Sequence, residues 1–232
     1  MTVVIFGATG MVGKGVLLEC LDDPRIERVL LVSRHHVDVG HQKIHEILHQ
    51  DFFDWAPIQA QLTDLDACFF CLGVSSVGMS ESDYLRSTYD LTLGAATTLA
   101  SMNAGRLTFC YVSGEGTDSS EHGRSAWARI KGKTENALMR LPFKGAYMFR
   151  PGYIQPLRGI RSKTRWYQLV YDVFGPFYPV LRRLFPGHVT TTVAIGRAMI
   201  QVTAAGYARP ILSSDDINEL AATRGPMPGK GV

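Results

Sequence analysis

The stretch VVIFGATGMVGKG, residues 3–15, decides the fold. A β-branched apolar run leads into glycines at positions 7, 10 and 13, and a helical pattern follows at once. Gly7 and Gly10 permit a tight turn close to a pyrophosphate, while Gly13 permits close packing of the helix on the strand. The N-terminus of the helix adds N–H donors. The stretch therefore predicts a dinucleotide-binding turn, although two residues, and not one, separate the first two glycines.

Short apolar runs alternate with helical patterns along the rest of the chain, as in a parallel sheet covered by helices on both faces. Further strands are predicted at 28–32, about 43–48, 67–71, 107–113 and 145–149, and helices at 11–21, 84–103 and 123–140. A threonine-capped helix over 190–203, a strand at RPIL and a last helix complete the pattern. We predict an α/β, doubly wound, mostly parallel sheet of the Rossmann type. A single domain spans 1–232, with 153–188 and 210–232 as a small lid or substrate region.

Composition argues against several classes of protein. The net charge of the 232 residues is +3, which does not favour a nucleic-acid partner in the absence of a clustered basic patch. No apolar run approaches the roughly 20 residues of a membrane-spanning helix, and no basic segment precedes the first strand as in a signal peptide. The four cysteines lie in apolar surroundings, which favours reduced thiols. We expect a cytoplasmic protein that is a monomer or a homodimer.

The end of the second strand indicates which dinucleotide is preferred. An acidic residue about 20 positions beyond the glycine turn would bind a ribose 2′-hydroxyl and repel a phosphate. This chain has Ser33 and Arg34 at that place and no acid. A guanidinium can pair with a 2′-phosphate through its planar fork. The sequence therefore predicts NADP in preference to NAD, unless Arg34 is only a solvated surface residue.

Five segments occur in a familiar order: GATGMVG, FFCLG at 69–73, YVSGEG at 111–116, KGKTENAL at 131–138 and FRPGYIQP at 149–156. Together they resemble the atypical short-chain dehydrogenase/reductase superfamily, near bacterial nucleoside-diphosphate-sugar epimerase-like proteins and the Tat-interacting-protein type. The resemblance implies an NAD(P)-binding Rossmann fold across essentially the whole chain. It also implies roles for residues at strand ends. The pyrophosphate would be held by Gly7, Thr9, Gly10, Met11, Val12 and Gly13. The adenosine end would lie beside Ser33, Arg34, Asp51 and Phe52, and the rest of the cofactor beside Cys71, Leu72, Gly73, Lys131, Pro151, Gly152 and Tyr153.

The resemblance further implies that Ser113 and Lys131 are the family's catalytic serine and lysine. Trp127 stands where the family has its tyrosine, four residues before the lysine and on the same helical face. An indole N–H is a donor only and cannot replace a tyrosine in proton transfer, although Trp127 could form a wall of the pocket. Other candidate proton donors are Glu115, Tyr153, Tyr84 and Tyr89, each of which is otherwise a surface acid or an aromatic at the edge of the core.

Three other patterns are given less weight. Cys68-x-x-Cys71 lies within an apolar strand, where residues three apart point to opposite faces, so no metal or redox site is expected. His41, His45 and His49 would form a metal-binding stripe on a helix, but their segment is predicted to be a strand. The aromatic and basic segment 161–185 is predicted to be a broken helix pair that covers the substrate cleft. A dimer contact or weak membrane-surface association is the alternative for this segment.

Two functions remain open from the sequence. The first is an oxidoreductase or epimerase-like enzyme that uses NADP(H) on an unidentified small molecule without the usual tyrosine. The second is a non-catalytic NADP(H)-binding redox sensor or partner-binding regulator, which would retain the cofactor site and need no acid. Cofactor binding is common to both.

Overall fold

A computed structural model describes residues 1–160 and 185–223. Seven parallel strands form the central sheet in the order β3-β2-β1-β4-β5-β6-β9, and β7 and β8 form a separate parallel pair. The strands are β1 Thr2–Phe6, β2 Arg28–Ser33, β3 Ile44–Leu48, β4 Ala67–Phe70, β5 Thr108–Val112, β6 Gly145–Phe149, β7 Tyr153–Gln155, β8 Val189–Thr191 and β9 Ile211–Leu212. The helices are α1 Met11–Asp22, α2 Glu81–Leu85, α3 Leu91–Met102, α4 Ala126–Leu138, α5 Thr192–Ala205 and α6 Ser214–Ala222. The α/β, doubly wound prediction is confirmed.

Both faces of the sheet are covered, which explains why its strands are apolar at successive positions and not at alternate ones. In β1, Val3 and Ile5 belong to a core that includes α1, α5 and α6, whereas Val4 and Phe6 belong to a core that includes α3. All four side chains are 0% exposed. The glycine turn after β1 is therefore attached to a strand whose last four residues are completely buried.

The sequence located the elements well and their ends less well. The predicted helix over 84–103 begins earlier, because the Ser80 side chain caps the N-terminus of α2, and a π-helical turn at Arg86–Asp90 joins α2 to α3. Thr191 caps α5 as expected, with its side chain accepting a hydrogen bond from the Ala194 N–H. Ile211–Leu212 pairs with β6 and forms one edge of the central sheet. Residues 161–184, which carry nearly all of the predicted helix pair, and residues 224–232 lie outside the described residues.

Candidate functional site

The carboxyl edge of the central sheet gathers most of the predicted site residues. Gly7 follows β1, Arg34 follows β2, Asp51 follows β3, Cys71 follows β4 and Ser113 follows β5. Because all seven strands are parallel, these positions share one edge. The strand order reverses between β1 and β4, and ligands of open α/β sheets bind in the crevice at such a switch point.

The glycine turn lies against the end of β4 at this switch point. Gly7 has a φ of +80°, a left-handed conformation that side chains disfavour, and a Cβ there would stand 2.8 Å from the carbonyl carbon and oxygen of Cys71. A Cβ on Gly13 would stand 2.1 Å from the Gly7 carbonyl oxygen. A side chain at position 7 would thus collide with the backbone at the end of β4. A side chain at position 13 would collide with the glycine turn itself. The close packing at Gly13 agrees with the spacing of the motif, whereas the contact of Gly7 with the end of β4 was not foreseen.

The N-terminus of α1 is available to an anion. Gly10 is its N-cap and makes no side-chain capping hydrogen bond, and no acidic residue occupies the first turn. The Gly10 N–H is used within the turn, where it donates to the Gly7 carbonyl at 2.9 Å. The N–H groups that begin a helix have no intrahelical partner, and the helix dipole favours negative charge there. Thr9 is exposed beside this end, and Met11 and Val12 are half-buried in the first turn. The turn therefore fits a pyrophosphate.

The predicted adenosine end is formed by the segments after β2 and β3. The Ser33 hydroxyl donates to the His35 carbonyl at 2.6 Å, so its hydrogen is used inside the turn. The Arg34 side chain is exposed and has no hydrogen-bonding or ionic partner among residues 1–160 and 185–223. Asp51 is exposed and accepts the Phe53 N–H at 2.9 Å, whereas Phe52 is only 8% exposed within an aromatic cluster. Arg34 is thus the one free cation of this described segment.

The end of β4 lines the crevice mainly with backbone atoms and offers little reactive side-chain chemistry. The Cys71 N–H donates to the Phe6 carbonyl at 3.0 Å, which ties the end of β4 to β1. Burial raises the pKa of Cys71 to about 12, so this thiol stays protonated at neutral pH. Leu72 is half-buried, and Gly73 is exposed with no atom within 4 Å of a Cβ built on it. This edge of the crevice is therefore open.

Ser113, Lys131 and Trp127 each contact the end of β5 or the loop that follows it. The Ser113 hydroxyl donates to the Phe149 carbonyl at 3.1 Å. Lys131 Nζ lies 3.5 Å from the carbonyl oxygen of Val112, the residue before Ser113. One turn earlier, the Trp127 ring packs on the loop after β5, where a Cβ on Gly116 would be 3.3 Å from it. The structure therefore brings the three predicted catalytic residues to one strand end.

Burial changes the acid–base behaviour of Lys131. Loss of solvent lowers the pKa of its ammonium to about 8, while the negative charge of Glu135, one turn further along α4, acts in the opposite direction. The Glu135 carboxylate is 0% exposed and accepts hydrogen bonds from Arg150 Nε at 3.0 and 3.1 Å. A buried ion pair therefore anchors the helix of Lys131 to the residue that precedes the Pro151 turn.

The turn after β6 closes the site from the far side. Pro151 is buried and its carbonyl accepts the Glu115 N–H at 2.9 Å, while the Gly152 N–H donates to the Ser214 hydroxyl at 3.1 Å. A Cβ on Gly152 would stand 2.4 Å from the His188 carbonyl oxygen, and because that atom belongs to backbone, glycine is required there. The Tyr153 hydroxyl donates to Gln155 Oε1 at 2.8 Å, and burial raises its pKa.

The other candidate proton donors have the following surroundings. Glu115 is hydrogen-bonded to the Nδ1 of His188. Tyr84 is only 4% exposed and its pKa is raised by burial, and the Tyr89 ring lies 4.7 Å beneath the Lys133 ammonium. Two of these features escaped sequence reasoning: His188 beside Glu115, and the Arg150–Glu135 pair. The four-residue spacing from Lys131 to Glu135 gave a signal for the second, but nothing local identified its partner.

The discounted patterns are placed as follows. The segment 44–48 is a strand, as predicted. His45 is exposed on this strand, and His49, the residue after it, is buried. Cys68 and Cys71 are free thiols. Within residues 1–160 and 185–223, no group of three His, Cys, Asp or Glu side chains is arranged to hold a metal ion. Over the same residues, no helix has the length and apolar character needed to cross a bilayer.

Comparison with known proteins gives relatives of moderate similarity. No protein-family model matches the chain. It is 28% identical over 206 residues to "Protein fmp52, mitochondrial" of Emericella nidulans, with 85% of each chain covered. It is 29% identical over 171 residues to "Protein FMP52, mitochondrial" of Debaryomyces hansenii, and the match covers 71% of this chain and 70% of the relative.

The names of these relatives state a location and no activity. They contradict the cytoplasmic prediction, which rested on the apolar surroundings of cysteines and on the absence of a signal peptide, and neither observation distinguishes one reducing compartment from another.

Solved structures share the fold at low sequence identity. A mutated uronate dehydrogenase has a TM-score of 0.64 at 15% identity, covering 91% of this chain and 72% of its own. MoeE5 in complex with UDP-glucose and NAD has a TM-score of 0.63 at 15% identity, covering 96% and 81%. The Helicobacter pylori ADP-L-glycero-D-manno-heptose-6-epimerase has a TM-score of 0.65 at 12% identity, covering 95% and 81%. These likenesses show a Rossmann-type fold, in agreement with the sequence motifs.

Proposed function

We propose that this chain is a member of the atypical short-chain dehydrogenase/reductase superfamily that binds a nicotinamide dinucleotide and acts on a small molecule. The observation that carries the proposal is the contact between Gly7 and the end of β4. No side chain on the glycines covers the backbone there, which leaves room for a pyrophosphate. This turn lies at the switch point of the sheet and beside the N-terminus of α1, which has no side-chain cap. The MoeE5 structure with UDP-glucose and NAD, and that of WbmH with NAD⁺, share this fold.

The residues that would hold the cofactor follow from their places along the crevice. The turn from Gly7 to Gly13 would bind the pyrophosphate through backbone N–H groups. The segment after β2 would bind the adenosine ribose, and Cys71, Leu72 and Gly73 would line the middle. Lys131 would donate to the nicotinamide ribose, and Pro151, Gly152 and Tyr153 would flank the nicotinamide. When bound, the reduced cofactor supplies hydride to a carbonyl carbon.

NADP(H) is the preferred form in this proposal. The Arg34 guanidinium is exposed at the end of β2 and is not paired with any described carboxylate, so it can bind a 2′-phosphate. No acidic side chain stands at Ser33 or Arg34 to bind a 2′-hydroxyl in the usual NAD-specific manner. The Ser33 hydroxyl already donates to a backbone carbonyl, which makes Arg34 the main determinant.

A second candidate function is favoured by Trp127. Its indole occupies the position of the family's tyrosine and packs on Gly116, so no phenol is available there. An NADP(H)-binding redox sensor would need the crevice and no acid. An oxidoreductase or epimerase-like enzyme remains the first proposal, because Lys131 and Ser113 are both retained at the end of β5.

The test separates binding from turnover. NADPH binding is measured by fluorescence for the wild type, Gly7→Ala and Gly105→Ala. Gly105 also has a positive φ, +70°, but a Cβ there meets no atom within 4 Å. Gly7→Ala should weaken NADPH binding at least tenfold, and Gly105→Ala should leave it unchanged. Aldehydes, ketones and quinones are then offered with NADPH. Absence of NADPH binding by the wild type would contradict the whole proposal. Tight binding without turnover would favour the sensor.

A further inference from the structure

The site lacks the phenol that short-chain dehydrogenases use as an acid, and the hydroxyls of Ser113 and Tyr153 both donate to acceptors within the protein. The Ser113 hydroxyl donates to the Phe149 carbonyl at 3.1 Å, and the Tyr153 hydroxyl donates to Gln155. The Glu115 carboxylate is bonded to His188. A reaction that generates an alkoxide at this edge of the sheet therefore needs another proton source.

The position of the Lys131 ammonium suits it to donate that proton. Its Nζ lies beside the carbonyl of Val112, the last residue of β5, and 5.5 Å from the centroid of the Tyr111 ring. The distance of 3.5 Å to the Val112 oxygen is longer than the 2.7–3.2 Å of an ordinary N–H···O bond. No described carboxylate forms an ion pair with Lys131, so its N–H groups remain available to a ligand oxygen next to Ser113.

The groups around Lys131 leave it without a dedicated counterion. Tyr111 on β5, whose ring faces Lys131 Nζ, has a pKa raised by burial and so stays neutral. Glu135 is the one acid on the same face of α4, and the Arg150 guanidinium already binds its carboxylate. Arg150 thereby keeps Glu135 from pairing with Lys131. Burial without a dedicated counterion lowers the pKa of Lys131 to about 8, close to the range in which an acid works best near neutral pH.

We propose that Lys131 Nζ is the proton donor of this site and takes the place of the missing tyrosine. The inference rests on the proposed oxidoreductase function. The carbonyl carbon gains the hydride of a reduced nicotinamide, and the electron pair of the C=O π bond moves to the oxygen. That oxygen takes a proton from the Lys131 ammonium and becomes a hydroxyl. Lys131 is left as a neutral amine and regains a proton from water, while the nicotinamide is oxidised.

The first measurement needs neither cofactor nor substrate. The protein is labelled with ¹³C-lysine, and Nζ titration is followed by NMR, with Lys131→Arg used to assign the Lys131 signal. One lysine should titrate about two pH units below the ordinary value of about 10.4. Glu135→Gln should lower this pKa further, because it removes a nearby negative charge. Glu19→Gln is the matched control, since Glu19 is also a buried acid, 6% exposed and paired with Arg158 and Arg197.

The second measurement is the pH profile of NADPH-dependent phenanthrenequinone reduction. The rate should fall as pH rises through the Lys131 pKa, and Glu135→Gln should move this fall to lower pH by the interval seen in NMR. Glu19→Gln should leave it in place. Lys131→Arg, which keeps a cation but no acid near neutral pH, should lose about 10²–10⁴-fold in rate while still binding NADPH.

The outcomes distinguish the two proposals. If the wild type does not bind NADPH, the proposed function fails, whatever Lys131 does. If NADPH binds but Lys131 titrates like an ordinary lysine, or Lys131→Arg keeps its rate and its pH profile, the acid role is wrong. If NADPH binds but none of the aldehydes, ketones and quinones is reduced, the acid role is also wrong, while the proposed cofactor site stands.

Discussion

The Glu135 carboxylate on α4 and the Arg150 guanidinium at the end of β6 form an ion pair whose acid is completely buried. Arg150 also donates to the Ser119 hydroxyl, so one side chain joins the helix of Lys131, the turn at Pro151 and the loop after β5. One side chain therefore joins three segments that surround the predicted nicotinamide end.

Removal of Arg150 should therefore destabilise the whole protein. Arg150→Met leaves the Glu135 carboxylate buried without a partner, and loss of one member of a buried pair costs about 3–5 kcal/mol. The free energy of unfolding is measured by urea denaturation. Arg106→Met is the control, because Arg106 pairs with Asp64 and Asp66 at the surface, and surface pairs contribute at most about 1 kcal/mol. Equal losses in the two variants would contradict the structural role of Arg150.

Arg34 should determine the preference between cofactors. Arg34→Ala removes the only unpaired cation described at the end of β2, and a hydrogen bond to a charged group contributes about 1.5–3 kcal/mol. NADPH affinity should thus fall by roughly 10–100-fold while NADH affinity stays within about threefold. Titration calorimetry with both cofactors measures the ratio. Arg140→Ala serves as the control, since Arg140 is an exposed arginine beyond the C-terminus of α4. An unchanged ratio in Arg34→Ala would exclude NADP(H) selection by this residue.

Gly132 should tolerate no side chain. It lies within α4, where alanine normally adds up to about 1 kcal/mol of stability, but a Cβ there would be 1.7 Å from the Asp118 carbonyl oxygen. Because that atom belongs to backbone, the loop must move away from the helix. Gly132→Ala should lose about 1–3 kcal/mol in the free energy of unfolding. Gly40→Ala, with no atom within 4 Å of its Cβ, should change it little; a stabilised Gly132→Ala would show that the loop does not pack on α4.

The sequence predicted the fold because its signals are local and consistent. A continuous apolar strand, a glycine turn and a helix repeat the βα pattern, and the parallel order then places Gly7, Cys71 and Ser113 at one edge. Glycine requirements were also visible, since Gly7 and Gly13 occupy known positions of a phosphate turn. Helix ends were less accessible, and the π-helical turn at Arg86–Asp90 is only a single turn, too short to be recognised from a periodic pattern.

The charges of the site could not be read from the sequence, because they depend on contacts between distant segments. Glu135 shares a helical face with Lys131, and pattern alone suggests that the two pair. Arg150, 15 residues later, binds the Glu135 carboxylate instead, and burial is what lowers the pKa of Lys131. Likewise, Glu115 and His188 are 73 residues apart and meet because the loop after β5 and the residue before β8 both pack against Gly152.

Asp216 should make stability depend on pH in acid. Burial alone would raise its pKa, but hydrogen bonds from the Ser213 N–H and hydroxyl and from Tyr207, together with the charge of Arg209, lower it overall. A carboxyl whose folded pKa is lowered stabilises the fold above its unfolded pKa of about 3.9, and this contribution is lost as pH falls through the folded pKa. Asp216→Asn should thus cost about 1–3 kcal/mol at neutral pH, a deficit that shrinks below about pH 4. Urea denaturation at several pH values, with the exposed neighbour Asp215→Asn as control, measures this. A deficit that stays constant down to the acid limit would show that the Asp216 charge contributes nothing.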